Sequence, residues 1–329
     1  MALPTRLSAA TAVAIVLLTS SAASSGRTLR VGLVVGPGTS DSADTQLRQA
    51  FRRSVMRLGV QGRVVVLPPS LVATASLTDL ARERYDLVIT GPSVDAKYVS
   101  AAATRYPGER FLITLPSAAL GHKLKNVQGV IYRSEEGAYL AGYLAGKMER
   151  LRAGKQVVSS VGGYKFPIID EFIAGYQAGA RLADRTITTL NAYAQSFNDP
   201  AKCHSAAVAQ ITRGSGVVFG VAGACSAGAL EAAKENGAWG IGVDLDRAYL
   251  GSFVLTSVVG RYDPAVFDAI RLLKAGAFKT GSDSIYDLRN GGIALGKISP
   301  NVPASVRHRL AVIKARIIAG QIKVPTTIR

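Results

Sequence analysis

The stretch GVVFGVAGACSAGALEAAKENGAWGIGVDLD, residues Gly216–Asp246, decides the fold that we predict for this chain. Its pattern predicts a buried strand over Val217–Ala222, a helix over Ala227–Asn236 and a second buried strand that ends at Asp244 and Asp246. Two continuous apolar runs that flank an amphipathic helix are typical of a parallel βαβ unit, whose sheet is covered on both faces. Ligands of open α/β sheets bind at the carboxyl edge of the strands. The sequence therefore predicts one wall of a small-molecule site, with carboxylates that accept hydrogen bonds.

The first 23 residues have the features of an export signal. Arg6 supplies a positive charge, residues 13–18 form a short apolar core, and Ser21-Ala22-Ala23 fits a small-residue cleavage site. The apolar run is shorter than the roughly 20 residues that span a bilayer. No cysteine follows the apolar core, so we expect a cleaved signal peptide at residues 1–23 rather than a lipoprotein, and a soluble periplasmic product. An uncleaved anchor is the alternative.

The composition predicts a multi-domain protein with a strong positive charge. A chain of 329 residues with 48% hydrophobic content is long enough to bury more than one core. The net charge of +17 raises nucleic acid as a partner. The basic residues are scattered and are not interleaved with aromatic residues that could stack on bases. An exported protein also meets little nucleic acid. We therefore expect no nucleic-acid partner, and attraction to an anionic membrane surface or simple solubility explains the charge.

The two cysteines of the chain, Cys203 and Cys225, are candidates for a disulfide. Exported proteins keep disulfides, and both residues are predicted at the carboxyl edge of neighbouring strands, where a bridge is geometrically possible. The alternative is a pair of small buried thiols. A metal site that combines them with His204 is disfavoured, because adjacent residues on a helix point in different directions.

Strands and helices alternate along the chain without a low-complexity linker, which predicts two doubly wound α/β lobes. We expect the N-terminal lobe to contain residues 24–132 and about 259–280. The C-terminal lobe is expected to contain residues 133–258 and about 281–329. A cleft between two such lobes is a natural ligand site.

Several segments resemble catalytic motifs without completing one. Residues 224–228 (ACSAG) resemble a nucleophile elbow, but none of the three histidines lies where a catalytic partner is expected. Residues 142–147 (GYLAGK) are one residue short of a phosphate-binding loop, and their small residues favour helix packing. Glu135 and Glu136 follow Ser134 at a helix start and complement the helix dipole. We therefore expect no enzyme, no catalytic residue, no metal and no cofactor.

Four blocks of sequence carry a family resemblance. They are SEEGAYLAG at 134–142, FIAGYQAG at 172–179, SFNDPAK at 196–202 and IGVDLD at 241–246. Together they are similar to the basic membrane protein family, the PnrA-like substrate-binding proteins of ABC transporters. The resemblance implies a type I periplasmic-binding-protein fold, in which two α/β lobes joined by three hinge strands close on a ligand and dock to a membrane permease.

In the nucleoside receptors of this family, aromatic rings hold the base and carboxylates hold the ribose. Asp244 matches the ribose-binding aspartate, and Phe219 matches an aromatic residue, although a position in a buried strand equally suits the core. At other positions this chain differs from the family. Gly36 and Leu115 occupy positions where the family has aspartates, and Gly260, which precedes Arg261, occupies the position of a family lysine. Asp44 stands for the aromatic residue of the first lobe. The candidate ligand-binding residues are Asp244, Phe219, Asp246, Ser40, Asp41, Asp44, Ser93, Phe197, Cys225 and Arg261.

The sequence thus predicts a solute receptor of an ABC importer that binds a nucleoside-like or other hydroxyl-rich molecule. The expected partners are this small-molecule ligand and a membrane permease, and we expect the protein to be a monomer. The alternative is a sensor or orphan receptor that signals to a membrane partner instead of feeding a permease.

Overall fold

Strands and helices alternate through the computed structural model, which describes residues 27–36, 43–67, 74–154 and 156–328. The strands are β1 (Arg30–Val35), β2 (Gln61–Val66), β3 (Leu87–Thr90), β4 (Phe111–Ile113), β5 (Val127–Tyr132), β6 (Val157–Gly162), β7 (Thr188–Tyr193), β8 (Ser215–Val221), β9 (Trp239–Val243), β10 (Val254–Gly260), β11 (Asp283–Tyr286) and β12 (Ile293–Leu295). The helices are α1 (Ala43–Leu58), α2 (Thr74–Arg82), α3 (Ala96–Arg105), α4 (Ser134–Glu149), α5 (Pro167–Ala183), α6 (Pro200–Thr212), α7 (Ser226–Glu235), α8 (Tyr262–Lys274) and α9 (Ala304–Ile318).

Two six-stranded sheets define the two lobes that the sequence predicts. The first sheet has the order β11-β5-β4-β3-β1-β2, and all of its strand pairs are parallel. The second has the order β12-β10-β9-β8-β6-β7, in which only β12 runs antiparallel to its neighbour. Every residue of β3, β6 and β8 is buried. The continuous apolar runs of the sequence therefore correspond to strands covered on both faces.

The chain crosses between the two sheets three times. The first crossing follows β5, the second follows β10, and the third lies between Tyr286 and Ile293. The sequence-based boundary near residue 280 was too early, because β11 pairs with β5 and extends the first sheet. Both β11 and β12 were missed. Unlike the equally short β3 and β4, they lie at the edges of their sheets and are only partly buried, so their sequences lack the pattern of a fully covered strand.

Helices cover both faces of each sheet. In the first lobe, α1 and α8 contribute to one apolar core and α2 and α3 to another. In the second lobe, α4, α5 and α9 cover one face, while α6 and α7 cover the other. The small residues of 142–147 serve helix packing as predicted, because a Cβ added at Gly142 would lie 1.9 Å from the carbonyl oxygen of Tyr176 on α5.

Some predicted features lie outside the described residues. These are the signal peptide at residues 1–23 and the candidate ligand contacts Ser40 and Asp41. Within the part of the chain that is described, no helix has the length and apolar character to cross a membrane.

Candidate ligand-binding cleft

Asp244 stands directly after β9, at the carboxyl edge of the second sheet. Its backbone has a φ of +64°, a left-handed conformation that a non-glycine residue rarely adopts, and its amide donates to the carbonyl oxygen of Val258 at 2.9 Å. Such strain costs of order 1–3 kcal/mol and is typical of functional sites. Burial raises the pKa of the Asp244 carboxyl, and the nearby charge of Arg247 opposes this shift. The half-buried carboxylate is thus held without full solvation, which suits a group that awaits hydrogen-bond donors.

Asp44 brings a second carboxylate from the first lobe. It lies in the first turn of α1 and is 4% exposed. Burial raises the pKa of its carboxyl. Hydrogen bonds from Ser93 and from the Gly36 amide, together with the charge of Arg48, partly offset this rise. One oxygen, Oδ1, has no hydrogen-bond partner in the described part of the chain. A Cβ at Gly91 would lie 2.0 Å from this oxygen, so the glycine after β3 makes room for the carboxylate.

Ser93 fixes the end of β1 beside Asp44. Its Oγ accepts a hydrogen bond from the Gly36 amide at 3.0 Å. The predicted residues Ser93 and Asp44 are therefore neighbours at the carboxyl edge of the first sheet. The structure gives both of them a position from which a ligand at this edge can be reached.

Tyr262 is a further residue of the candidate cleft, and sequence reasoning missed it. It begins α8 immediately after the second crossing. Burial raises the pKa of its hydroxyl far above the usual value, and the charges of Asp244 and Asp44 raise it further. Tyr262 also lines an opening together with Gln46 and Leu245, which are close in sequence to Asp44 and Asp244, so the two carboxylates approach the same crossing from opposite lobes. An aromatic residue after a predicted strand was the only available signal, and it is too common to be diagnostic.

The crossings themselves are held by three tyrosines. The ring of Tyr132, at the end of β5, lies 5.5 Å from that of Tyr262 and 5.8 Å from that of Tyr286, measured between centroids. One tyrosine therefore stands at each crossing. An opening of about 230 Å³ beside them has walls from both lobes, with Gln46, Gln49 and Arg53 on α1 opposite Leu245 and the segment 259–263. Arg261, a predicted contact, lies in this opening.

Three aromatic rings form a second feature of the second lobe, which we call the aromatic cluster: Tyr164, Phe166 and Phe197. The centroid of Tyr164 lies 5.8 Å from that of Phe166 and 5.3 Å from that of Phe197. Tyr164 and Phe166 are 37% and 51% exposed, which is unusual for large apolar side chains. A Cβ at Gly163 would lie 2.3 Å from the Phe197 ring, so this glycine permits the ring to pack there.

The aromatic cluster belongs to the carboxyl edge of the second sheet. Its residues follow β6 and β7, and the carbonyl oxygen of Phe197 accepts a hydrogen bond from the amide of Cys225 after β8. β8 is the direct neighbour of β9, the strand that ends at Asp244. Phe197 was predicted as a contact, whereas Tyr164 and Phe166 were missed because the resemblance gave them no role.

For Phe219 the sequence left two alternatives open, a ligand contact or a place in the apolar core, and the structure supports the core. Its side chain is fully buried and packs against Tyr176 and Phe172 of α5, with centroid distances of 5.1 and 6.4 Å. The ligand-contact prediction for Phe219 is therefore wrong, because its place on the strand directs the ring into the core of the second lobe.

Asp246 and Cys225 also have structural roles instead of the predicted ligand contacts. The Asp246 carboxylate accepts hydrogen bonds from the amides of Ala248 and Lys297, at 3.1 and 2.9 Å, and so ties the loop after β9 to the segment after β12. Cys225 is fully buried and forms a disulfide with Cys203 across a Cα–Cα distance of 5.6 Å. The disulfide prediction is thus confirmed. No group of three or more metal-binding side chains is found among the described residues.

Two α/β lobes, three crossings and polar groups that converge beside them define a solute-binding protein. The comparison with protein families agrees: the chain belongs to the PnrA-like ABC transporter substrate-binding proteins, whose family model matches residues 48–327.

Relatives and solved structures support the same class. The chain is 34% identical over 245 residues to the ABC transporter nucleoside-binding protein BmpA of Lactococcus lactis subsp. cremoris (strain MG1363), covering 69% of this chain and 67% of that protein. It is 32% identical over 206 residues to basic membrane protein A of Borreliella afzelii, covering 61% of this chain and 62% of the relative. The fold is similar to that of an ABC transporter solute-binding protein from Aeropyrum pernix K1, with a TM-score of 0.76, 22% identity and coverage of 90% and 94%.

Proposed function

We propose that the protein is the extracytoplasmic receptor of an ABC importer and binds one nucleoside-like, hydroxyl-rich solute between its lobes. The observation that carries the proposal is that Asp44 and Asp244 stand at the carboxyl edges of the two sheets, beside an opening that both lobes line, and that Asp44 Oδ1 is buried without a hydrogen-bond partner in the described part of the chain. A pair of carboxylates desolvated at a hinge is costly to the protein alone. A ligand that donates hydrogen bonds to both removes part of this cost.

Carboxylate chemistry indicates the polar part of the ligand. An ionised carboxylate only accepts hydrogen bonds, so its complement is a donor such as a sugar hydroxyl. Hydrogen bonds to charged groups contribute about 1.5–3 kcal/mol each. Asp244 in the second lobe suits a pair of neighbouring hydroxyls, while Asp44 and Ser93 in the first lobe offer an acceptor and a hydroxyl.

The aromatic cluster indicates the planar part of the ligand. Stacking of a base on an aromatic ring is worth about 1–3 kcal/mol. Phe197 lies over the end of β8 and Asp244 at the end of β9, and adjacent strands are about 4.8 Å apart. A ring joined to a sugar can therefore reach the cluster and Asp244 at once.

Binding by lobe closure follows from the three crossings. Ligand groups that contact Asp244 and Asp44 together favour the state in which the lobes are near each other, so binding shifts the population toward it. The closed receptor is the form that we propose to dock to the permease. Ser40, Asp41 and Arg261 remain proposed contacts of the same cleft, and residues 1–23 remain a proposed export signal.

A thermal-shift screen on refolded mature protein tests the proposal. The probes are adenosine, guanosine, inosine and uridine, with D-ribose, free adenine and riboflavin for comparison. A ligand present at about 100 times its dissociation constant stabilises by about 2.7 kcal/mol, which is a shift of several degrees. We expect a shift with at least one nucleoside, and the absence of any shift across the panel would contradict the ligand class.

Asp244→Asn tests the site itself. The variant should weaken binding of the active probe more than about tenfold in calorimetry, because the amide cannot accept at both oxygens. The matched control is Asp246→Asn, two residues away, whose carboxylate is bound by backbone amides; it should lower stability but leave affinity within about twofold. Unchanged affinity in Asp244→Asn would remove this residue from the site.

A further inference from the structure

The positive charge of this protein is concentrated at its C-terminal end. From Leu288 to Arg329 the chain contains eight Lys and Arg residues and no Asp or Glu. The rest of the chain mixes both signs, so this segment supplies nearly half of the net charge of +17. Because the segment contains a folded helix, its positive charges are held together on the surface, where they create a local electrostatic field and do not only raise the isoelectric point.

Helix α9 presents four of these eight cations to solvent. Its inner side is buried against the core of the second lobe through Leu310, Ile313 and Ile317. Its outer side carries four exposed cations in two rows. The two cations of each row are seven residues apart, which is about 10 Å along the helix axis. One row is Arg307 and Lys314, and the other is Arg309 and Arg316.

None of these four side chains forms an ion pair with a described residue. Arg309 and Arg316 lie beside the hydroxyls of Tyr143 and Tyr139 on α4, which carry no charge in their ordinary state. A shallow depression of about 410 Å³ adjoins Tyr139 and holds two more cations, Arg181 and Lys323. We call the six residues the α9 cationic face: Arg181, Arg307, Arg309, Lys314, Arg316 and Lys323.

We propose that the α9 cationic face binds the anionic phosphate headgroups of a phospholipid membrane. Each Lys or Arg at an anionic membrane surface adds a binding increment that sums over the cluster. The four cations on α9 are exposed and form no ion pair with a described residue, so they lose no ionic partner when they meet such a surface. The depression that Arg181 and Lys323 line has a volume of about 410 Å³, which exceeds that of a phosphate group.

The chemistry of this face favours a membrane over a shaped protein partner. Protein interfaces depend on aromatic or large apolar anchors in pockets. Besides the four cations, the exposed residues of α9 are Ala304, Ser305, His308, Ala311 and Ala315, and none of the exposed large apolar side chains of the described chain lies on α9. A diffuse and laterally mobile layer of phosphates needs no such anchor.

Vesicle co-sedimentation tests the proposal with the mature chain. The probes are phosphatidylcholine vesicles with about one third phosphatidylglycerol, and pure phosphatidylcholine vesicles, at about 0.1 M salt, where charges within about 10 Å still interact. We expect the wild type to sediment only with the anionic vesicles. Replacing Arg307, Arg309, Lys314 and Arg316 by Gln together should lower the partition coefficient at least about 100-fold.

Two further variants keep the test decisive. Arg307→Gln/Lys314→Gln changes only two side chains that make no hydrogen bond or ion pair within the described chain, so this variant should fold even if the fourfold variant does not. It should lower partitioning about tenfold or more. The control removes the same charge from exposed lysines elsewhere: Lys123, Lys125, Lys202 and Lys234, each replaced by Gln. It should change partitioning less than about threefold.

Three results would overturn the proposal. They are a wild type that ignores anionic vesicles, a control that loses as much binding as the fourfold variant, and retention of a DNA duplex or an acidic protein without any vesicle binding. The α9 cationic face contains none of the proposed cleft residues. Ligand binding therefore serves as an independent check that each variant is folded.

Discussion

Glu135→Gln should make the protein more stable, and only above a defined pH. Glu135 lies in the first turn of α4, next to the first crossing, and is 3% exposed. Burial raises the pKa of its carboxyl from 4.5 to about 7, the charge of Glu171 adds to the rise, and Arg133, 3.6 Å away, opposes it. Glutamine keeps the shape of the side chain and removes the buried charge.

The magnitude follows from the two pKa values. Between pH 4.5 and about 7 the folded protein holds a proton on Glu135 that the unfolded chain releases. The free energy of unfolding therefore falls as the pH rises through this window, and each pKa unit is worth 1.36 kcal/mol. The wild type should lose about 3 kcal/mol from this carboxyl by pH 8, while Glu135→Gln should not.

Urea unfolding at a series of pH values from about 4 to 8.5 measures this difference. Fluorescence of Trp239, the single tryptophan, reports on the second lobe, whose core also receives α4. The curves of wild type and variant should coincide near pH 4 and separate progressively toward pH 8. Glu231→Gln, which removes an exposed carboxylate from α7, is the control and should leave the wild-type pH dependence unchanged. Parallel curves for wild type and Glu135→Gln over the whole range would refute the reasoning.

Three further substitutions test the packing. Gly142→Ala forces a methyl group against the Tyr176 carbonyl and should cost about 1–3 kcal/mol or more in urea unfolding; a neutral result would contradict the close approach of the two helices. Replacing Cys203 and Cys225 by Ala opens a loop with a sequence separation of 22 and should cost about 3 kcal/mol, with no difference between reducing and oxidising buffer in the variant. Phe219→Leu should lower stability by about 1 kcal/mol while the affinity for a nucleoside found in the screen stays within about twofold; a large loss of affinity would return Phe219 to the cleft.

Local sequence patterns were sufficient for most of the fold. The unit at Gly216–Asp246 folds as the predicted strand, helix and strand. A parallel strand that is covered on both faces must itself be apolar along its whole length, so its own sequence reveals it. The disulfide was predictable because both cysteines follow strands at the carboxyl edge of one sheet, although β6 lies between β7 and β8, so the two strands are not the direct neighbours that the sequence suggested. The helix packing at 142–147 was predictable because only small residues allow backbones to touch.

The candidate site was predictable only in part. The resemblance indicated Asp244, which stays a proposed contact, and it left Phe219 open between the ligand and the core, whereas the structure directs its ring toward the helices of the second lobe. Tyr262 and the exposed rings of Tyr164 and Phe166 escaped notice. Their significance depends on neighbours that come from other strands, and a single sequence does not place those neighbours.

The sequence by itself determined the class of fold, the alternation of elements, the cysteine pair and the excess of positive charge, because each depends on residue type and short-range spacing. Only the tertiary structure decided which groups meet. The addition of β11 to the first sheet, the approach of Asp244 and Asp44 to one crossing from opposite lobes, and the exposed cations on one side of α9 all join residues that lie far apart in the chain or choose between two faces of one element. The physical reason is that burial and charge coupling depend on distance in space, which chain spacing fixes only within a single element.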